Sequence, residues 1–468
     1  QELAFAESTC KLSSPQPGWF EQDPDEVYNA VLQVLRGVVA EAGSEVRPIG
    51  MAIASQSGSL VPANQHGQPV YPCITWMDGR SDSMVVHWAN NGFLDRVRAI
   101  SGWNIHPGLP LATIAWLRDN NPAVFNATRR WLCMNDYIAY RLTGQFAMNP
   151  SNGGVTQLMR ADRLEWSEEL CSMAGARPEQ FSPIVESGQT IGILLRDVCN
   201  ATGLPYDLKV ISGGHDQSCT AVALAVWQPG QVLLACGTSW VVTGVAGEPH
   251  LSALPQAFDL NYHAMANCWT VSQSLGGLGA SLEWLVRLCW REQPSRRDSY
   301  LALDNELMQT MPGSDGLFFM PMSGGHVSPA GMQYGGYVKM HPGHMRCHMA
   351  RAILESSAYE LKLALDAIDS GQLRVDSLSM AGGATRSSVW PGIIADVTGL
   401  PLRVTSSAHL PAVGAAIIAS VGCGVYGELR EAQTHFIQPS KEFAPEVSKR
   451  AIYDEYLKSY CRYIQLLS

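Results

Sequence analysis

A carboxylate that follows a buried strand and two glycines is the sharpest chemical feature of the sequence. The strand is predicted over Lys209 to Ser212 and ends in Gly213 and Gly214. Open α/β sheets bind ligands at the carboxyl ends of their strands, and glycines let another group approach the backbone closely. Asp216 stands at that end, where a carboxylate can accept the proton of an attacking hydroxyl in phosphoryl transfer. It is a candidate general base, the alternative being that it caps the following helix.

Two small-residue turns can hold phosphate without a lysine. Gly237-Thr238-Ser239 lies between two apolar runs and predicts a hairpin that exposes backbone amides and a hydroxyl. Gly276-Gly277-Leu278-Gly279 opens a predicted helix, whose N-terminus attracts anions. An ordinary hairpin turn remains the alternative for the first, and a lone glycine loop is weak evidence for the second.

A third small-residue segment follows the predicted strand Ser377 to Met380. Ala381-Gly382-Gly383-Ala384 can form a flat floor for a planar base, or it can serve close packing of a helix on a strand. The sequence contains no GxxxxGK[ST] motif and no protein-kinase signature, which excludes those two kinase classes.

The elements that must position these turns alternate between strands and helices in both halves of the chain. That alternation predicts an α/β protein with two lobes, whose boundary lies shortly after Asp216. The predicted helices are Asp25 to Ala42, Ala112 to Arg118, Asp136 to Leu142, Ala350 to Ile368 and Ala412 to Val421. The further predicted strands are Ile49 to Ser55, Gln231 to Cys236, Trp240 to Val245 and Leu402 to Val404.

Composition narrows the class of protein. The chain has 468 residues, of which 46% are apolar, enough for two globular domains. A net charge of −10 without a basic stripe argues against nucleic acid and anionic membrane as partners. No apolar run reaches the length of a membrane span. Twelve scattered cysteines without CxxC spacing predict a reduced, cytoplasmic protein.

Taken in order, these motifs resemble those of the FGGY carbohydrate kinase family over nearly the whole chain. The resemblance rests on several further segments besides the turns above. They are Pro17 to Pro24, Ile74-Thr75-Trp76-Met77-Asp78-Gly79-Arg80, Asn135-Asp136-Tyr137, Leu142-Thr143-Gly144, Gly382 to Trp390, Ala395 to Pro401 and Gly414-Ala415-Ala416.

The resemblance implies two ribonuclease-H-like domains of the actin and hexokinase type that flank an active-site cleft. Residues 1–222 would form the sugar side and residues 223–468 the nucleotide side. It implies ATP and Mg²⁺ as cofactors, with the ligands of the metal left unassigned, and it allows a homodimer. It also implies roles for particular residues. These are Asp216 as general base; Gly237, Thr238 and Gly279 at the phosphates; Gly382, Gly383, Ala384 and Ser387 at adenosine; and Gln56, Ser57, Trp76 and Gln217 at the sugar.

The substrate is expected to be a small sugar or polyol, with four- to six-carbon ketoses and sugar alcohols favoured. Gln56-Ser57-Gly58 lacks the Arg-Glu of glycerol kinase and the Met-His of xylulokinase, which predicts a roomier pocket than one for glycerol. The family's first strand and its Asp-x-Gly-Thr phosphate turn are absent from this sequence, and the expected reason is that an upstream segment has been removed or is not shown, the alternative being a natural absence. A non-catalytic sugar- or nucleotide-sensing protein that keeps the kinase fold is the alternative function.

Overall fold

The structure is a computed structural model that describes residues 2–293, 295–321, 335–370, 373–436 and 438–467. In the N-terminal half, strands and helices alternate as the sequence predicts. The strands are β1 (Glu21–Gln22), β2 (Gly50–Ser55), β3 (Leu60–Ala63), β4 (Cys73–Ile74), β5 (Arg130–Cys133), β6 (Thr190–Ile193) and β7 (Lys209–His215). The helices are α1 (Pro24–Ala42), α2 (Asp82–Asn90), α3 (Phe93–Ser101), α4 (Pro110–Asn120), α5 (Pro122–Ala127), α6 (Met134–Thr143), α7 (Pro150–Val155), α8 (Glu168–Ala174), α9 (Arg196–Thr202) and α10 (Asp216–Ala223).

Two sheets organise this half. One has the order β2-β7-β6, with β2 parallel and β6 antiparallel to the central strand β7. The other has the order β1-β4-β3-β5, and the loop that follows β4 contains Trp76. Strand β2 pairs with β7 as far as His215, whereas β6 pairs only with Lys209 to Ile211, so β2 holds the carboxyl end of β7.

The C-terminal half contains the remaining elements. Its strands are β8 (Gln231–Cys236), β9 (Trp240–Ala246), β10 (Asp259–Tyr262), β11 (Trp269–Gly276), β12 (Phe318–Met320), β13 (Gly336–Val338), β14 (Ser377–Gly382), β15 (Leu402–Thr405) and β16 (Ser440–Phe443). Its helices are α11 (Leu278–Cys289), α12 (Arg296–Met308), α13 (Arg346–Ser370), α14 (Trp390–Thr398), α15 (Leu410–Gly422), α16 (Leu429–His435) and α17 (Val447–Leu467).

Seven strands of this half form one sheet in the order β10-β11-β9-β8-β14-β15-β16. The central strands β8, β14 and β15 are parallel, whereas β9 and β11 run as an antiparallel meander beside β8. The parallel strands all end at the same edge, so the turns after β8 and β14 come together there. This mixed sheet covered by helices fits the predicted α/β, ribonuclease-H-like fold of two domains.

Helix α15 joins the two halves. It packs against α10 and against strands β2 and β7 of the N-terminal half. A Cβ on Gly414 would lie 1.8 Å from the carbonyl oxygen of Cys219 on α10, so the two backbones meet at this point. The predicted small-residue helix is therefore confirmed, and its small residues are explained by that close crossing.

Local sequence signals explain the other predicted elements. Helix α1 begins at Pro24 because the side chain of Asp23 accepts the N–H groups of Asp25 and Glu26. All twelve cysteines are free thiols in the structure. Among the described residues, no helix is both long enough and apolar enough to span a bilayer.

Candidate active site

Asp216 is the first residue of α10, directly after β7. Its Oδ1 lies 2.9 Å from Nε2 of His215 and 2.7 Å from the backbone nitrogen of Gln217. The described residues form no hydrogen bond to Oδ2, and 41% of the side chain is exposed. Burial by itself raises the pKa of Asp216, but the charge and hydrogen bond of His215 and the Gln217 amide outweigh it and lower the pKa. The carboxylate is thus ionised at neutral pH, with one oxygen free to accept a proton.

Gly213 and Gly214 serve the packing around this carboxylate. A Cβ on Gly213 would lie 2.1 Å from the carbonyl oxygen of Ile53 on β2, where the pairing of β2 and β7 shifts register. A Cβ on Gly214 would lie 3.3 Å from Oγ of Ser151 on α7. The groups that approach these glycines are therefore neighbouring parts of the protein.

A cavity of about 320 Å³ lies at the carboxyl ends of β8 and β14. It is lined by four of the predicted site residues, namely Gln217, Gly237, Gly382 and Gly383. The rest of its wall includes Thr220, Arg386 and the segment Ser406-Ser407-Ala408. The structure thus brings Gln217, which follows Asp216, together with the predicted phosphate turn at Gly237 and the predicted adenosine turn at Gly382 and Gly383.

The two predicted phosphate turns pack against each other. Ala280 donates its backbone N–H to the carbonyl of Thr238 at 3.1 Å, and Ser239 Oγ donates to the carbonyl of Gly276 at 3.2 Å. A Cβ on Gly279 would lie 2.1 Å from the carbonyl oxygen of Gly237. The hairpin between β8 and β9, which is exposed, and the start of α11, which is partly buried, therefore form one continuous backbone surface.

The predicted adenosine residues fall into two groups. Gly382 and Gly383 are exposed to the cavity, and a Cβ on Gly383 would have no neighbour closer than 3.9 Å. Ala384 is buried beneath them. Ser387 instead donates to Asp304 at 2.8 Å and accepts from the amide of Trp390, so its hydroxyl fixes the start of α14. The structure does not place Ser387 in the cavity wall.

On the predicted sugar side, Gln56 and Ser57 face different ways. Gln56 donates through Nε2 to Oε1 of Gln22 at 3.1 Å and is partly exposed. Ser57 is 7% exposed and donates its hydroxyl to Oδ1 of Asn152, which is itself 1% exposed. Its hydroxyl therefore anchors the loop, whereas Gln56 is the accessible side chain.

Trp76 is half exposed, and the loop that carries it is fixed by a buried arginine. Arg80 is wholly buried and binds both carboxylate oxygens of Asp78, at 2.8 and 2.9 Å, and Glu21 at 2.7 Å. Its guanidinium carbon lies 4.0 Å from the centroid of the Trp19 ring. This cluster joins the Trp76 loop to β1, on which Gln22 neighbours Glu21.

Gln217 is the predicted sugar residue that borders the nucleotide cavity. Its Oε1 is buried and has no hydrogen-bond partner among the described residues. A buried polar atom without a partner costs free energy, which a ligand donor in the cavity would recover. This atom is a candidate ligand contact.

Sequence reasoning missed the short helix α7, whose polar side chains are buried. Asn149 Oδ1 accepts from Ser151 Oγ and from the amide of Asn152, at 2.9 Å each. Ser151 Oγ accepts the backbone N–H of His215 at 2.9 Å, and Asn152 holds Ser57. The run Asn149-Pro150-Ser151-Asn152, an N-cap followed by proline, was the available signal.

One group of metal-ligand residue types lies elsewhere, formed by Asp315, His341 and His344. Nδ1 of His341 accepts the N–H of Gly343, and Nδ1 of His344 accepts the N–H of His341. Each ring therefore carries its proton on Nε2, which faces the carboxylate or the carbonyl of Asp315. Hydrogen bonds already occupy this group, and we assign no metal to it.

Comparison with known proteins agrees with this architecture. Residues 1–223 match the N-terminal domain of the FGGY family of carbohydrate kinases, and residues 232–423 match its C-terminal domain. The chain is 25% identical to xylulose kinase of Bacillus subtilis over 456 residues, which cover 96% of this chain and 90% of that protein. It is 26% identical to L-xylulose/3-keto-L-gulonate kinase of Escherichia coli over 471 residues, or 98% and 90% of the two chains.

A solved structure, that of xylulose kinase from Rhodospirillum rubrum, superimposes with a TM-score of 0.89 at 24% sequence identity. The match covers 98% of this chain and 92% of that one, and it shows the fold. Fold and family models together define a two-domain carbohydrate kinase that phosphorylates a sugar with ATP. The chain belongs to the FGGY family of carbohydrate kinases.

Proposed function

We propose that the protein transfers the γ-phosphate of ATP to a hydroxyl of a neutral ketose or sugar alcohol of four to six carbons, with Asp216 as the general base. The observation that carries this proposal is the position of Asp216. One of its oxygens is held by two donors and the other is free, and the next residue, Gln217, lines the cavity at the ends of β8 and β14.

The free oxygen can accept the proton of the attacking hydroxyl as the bond to phosphorus forms. In such reactions the protein mainly positions the two substrates and stabilises charge. The lowered pKa of Asp216 suits this role, since the carboxylate is ready to accept a proton at neutral pH.

The residues around the cavity fit ATP. A side chain on Gly383 would project into space that is otherwise open, and the hairpin at Gly237-Thr238-Ser239 is exposed beside it. Backbone amides in such a hairpin can hold phosphate oxygens, and Arg386 adds a positive charge to the cavity wall. Mg²⁺ bound with ATP would neutralise charge on the phosphates.

The sugar would lie between the Gln56 loop, Trp76 and Asp216. Gln56 and Gln217 offer amide groups that bind hydroxyls, and the exposed indole of Trp76 offers an apolar face for sugar C–H groups. The relatives are named as a xylulose kinase and an L-xylulose/3-keto-L-gulonate kinase, after substrates of five and six carbons, which supports a substrate of that size here.

A substrate screen tests the proposal. Purified protein with MgATP is incubated with ketoses, pentitols, tetritols and glycerol, and ADP release is followed by a coupled assay. We expect a ketose or polyol of four to six carbons to give the highest kcat/KM. Highest activity with glycerol, or ADP release that no sugar stimulates, would contradict the proposed substrate class.

A further inference from the structure

The residue before the candidate base has a role that the sequence did not assign. We propose that His215 is a positioning residue for Asp216: its Nε2–H fixes Oδ1 and thereby leaves Oδ2 directed to the sugar hydroxyl. The inference rests on the proposed function, because it takes Asp216 to be the base.

The geometry of the carboxylate supports this role. Oδ1 receives two donors, His215 Nε2 at 2.9 Å and the Gln217 amide at 2.7 Å. Two donors on one oxygen restrict rotation of the carboxylate about its terminal bond, which otherwise has a broad torsional preference. The described residues offer no donor to Oδ2, so the restriction selects one oxygen for the substrate.

His215 is itself held in place from both halves of the chain. Its backbone N–H donates to Ser151 Oγ at 2.9 Å, and Asn261 of β10 donates to the Ser151 carbonyl at 2.9 Å. Ser151 is wholly buried, and Asn149 accepts its hydroxyl hydrogen. The imidazole therefore starts from a rigid backbone position, as a positioning group requires.

Other ionisable groups on the elements packed around this pair are engaged elsewhere or neutral. Strands β2 and β6 and helices α7 and α15 contain no charged residue. Burial raises the pKa of the Cys219 thiol on α10 and keeps it neutral. Helices α6 and α16 hold further groups that have partners of their own: Asp136 with Ser182, Tyr137 and Arg141 with Asp25, Tyr140 with the carbonyl of His66, Arg430 over Trp227, Glu431 with the amide of Gly427, and His435 against Tyr426. Lys209 lies at the opposite end of β7 from His215.

Two substitutions separate hydrogen bonding from packing. In His215→Ala the donor is lost, and we expect kcat to fall about 10- to 100-fold, the usual effect of a lost hydrogen bond to a charged group. In His215→Gln the side-chain amide can donate in place of Nε2–H, and we expect most of that loss to be recovered. KM for ATP should stay nearly constant in both. His250→Ala removes an exposed histidine 3.6 Å from Glu248 and serves as the matched control.

The pH profile gives a readout that packing alone would not change. His215 lowers the pKa of Asp216, whereas burial raises it. Without His215 the pKa of the carboxyl rises, so the acid limb of kcat/KM moves to higher pH in His215→Ala than in the wild type. The proposal would be overturned if folded His215→Ala kept both the acid limb of kcat/KM and the kcat of the wild type. It would also be overturned if His215→Gln lost as much activity as His215→Ala.

If the wild type phosphorylates none of the sugars screened, the proposed function is contradicted. The hydrogen bond between His215 and Asp216 can still be tested in that case. The carboxyl carbon of Asp216 is then titrated by ¹³C NMR in the wild type and in His215→Ala, with folding checked by circular dichroism. A higher carboxyl pKa in the variant supports the pair. Equal values overturn it.

Discussion

The carbonyl oxygen of Cys236 lies 2.5 Å from the point at which a Cβ on Gly382 would stand. These residues are partners in the parallel pairing of β8 and β14, and Gly382 has a φ of 103°, which side chains rarely adopt. The backbones of the two strands therefore meet at the floor of the cavity. This close approach requires glycine at position 382 for the packing of the two strands, whereas the assignment of the floor to the nucleotide rests on the open space beside Gly383.

The next residue offers a direct test of that floor. A side chain on Gly383 would enter open space in the cavity, so Gly383→Leu should weaken ATP binding while the protein stays folded and still binds the free sugar. Calorimetric titration with ATP measures the effect. Gly392→Leu is the matched control, since a Cβ there meets no neighbour within 4 Å and lies on α14, outside the cavity wall. Equal ATP affinity in both variants would mean that the glycines serve packing only.

Arg80 provides a prediction about stability. Arg80→Met leaves the buried carboxylates of Asp78 and Glu21 without their cation, which should lower the free energy of unfolding by about 3–5 kcal/mol. The Trp76 loop should loosen as well, so KM for the sugar should rise. Denaturant unfolding and sugar kinetics measure the two effects. Arg47→Met, which removes an exposed ion pair with Asp207, should cost at most about 1 kcal/mol.

The sequence alone predicts those features of the fold whose signal lies within a few neighbouring residues. The strand that ends near Asp216, the hairpin at Gly237-Thr238-Ser239 and the helix after Asp23 each carry their signal within a few residues, and the structure has all three. The direction of Ser57 depends on Asn152, 95 positions away, and no local rule foretells that pairing. The donation from Ser387 to Asp304 is hidden from the sequence for the same reason.

Asp136 gives a prediction about pH. Burial raises the pKa of Asp136 to about 7 although Ser182 and the Cys133 amide donate to it. Between its unfolded value near 4 and this value, the folded state holds one proton more than the unfolded state. The contribution of Asp136 to stability should therefore fall as pH rises through this window, by at most about 1.4 kcal/mol per pH unit.

Asp136→Asn removes the group that takes up this proton, so the free energy of unfolding should fall less steeply as pH rises. Urea midpoints at pH 5, 6, 7 and 8 measure it, with Asp369→Asn at an exposed position as the control. If the two variants show the same dependence on pH, Asp136 does not take up a proton on folding.

Asp216→Asn tests the proposed base. The amide cannot accept the hydroxyl proton, so kcat should fall at least about 10²-fold, the usual contribution of a general base. ATP binding should persist, since the carboxylate is not part of the cavity floor. Single-turnover kinetics and calorimetry separate the two quantities. Near-normal turnover would refute the assignment, and Asp207→Asn at an exposed position controls for the loss of a carboxylate.

Gln56 tests how the sugar is chosen. Its amide is partly exposed and is held by Gln22, whereas the neighbouring Ser57 is buried and turned toward Asn152. Gln56 is therefore the side chain of this loop that can reach a sugar hydroxyl. Losing one buried hydrogen-bond partner costs roughly 1–3 kcal/mol, so Gln56→Ala should raise KM for the sugar about 5- to 150-fold and leave KM for ATP nearly unchanged. Gln68→Ala, which removes an exposed glutamine bound to Asn64, is the control. A change confined to KM for ATP would place Gln56 on the nucleotide side.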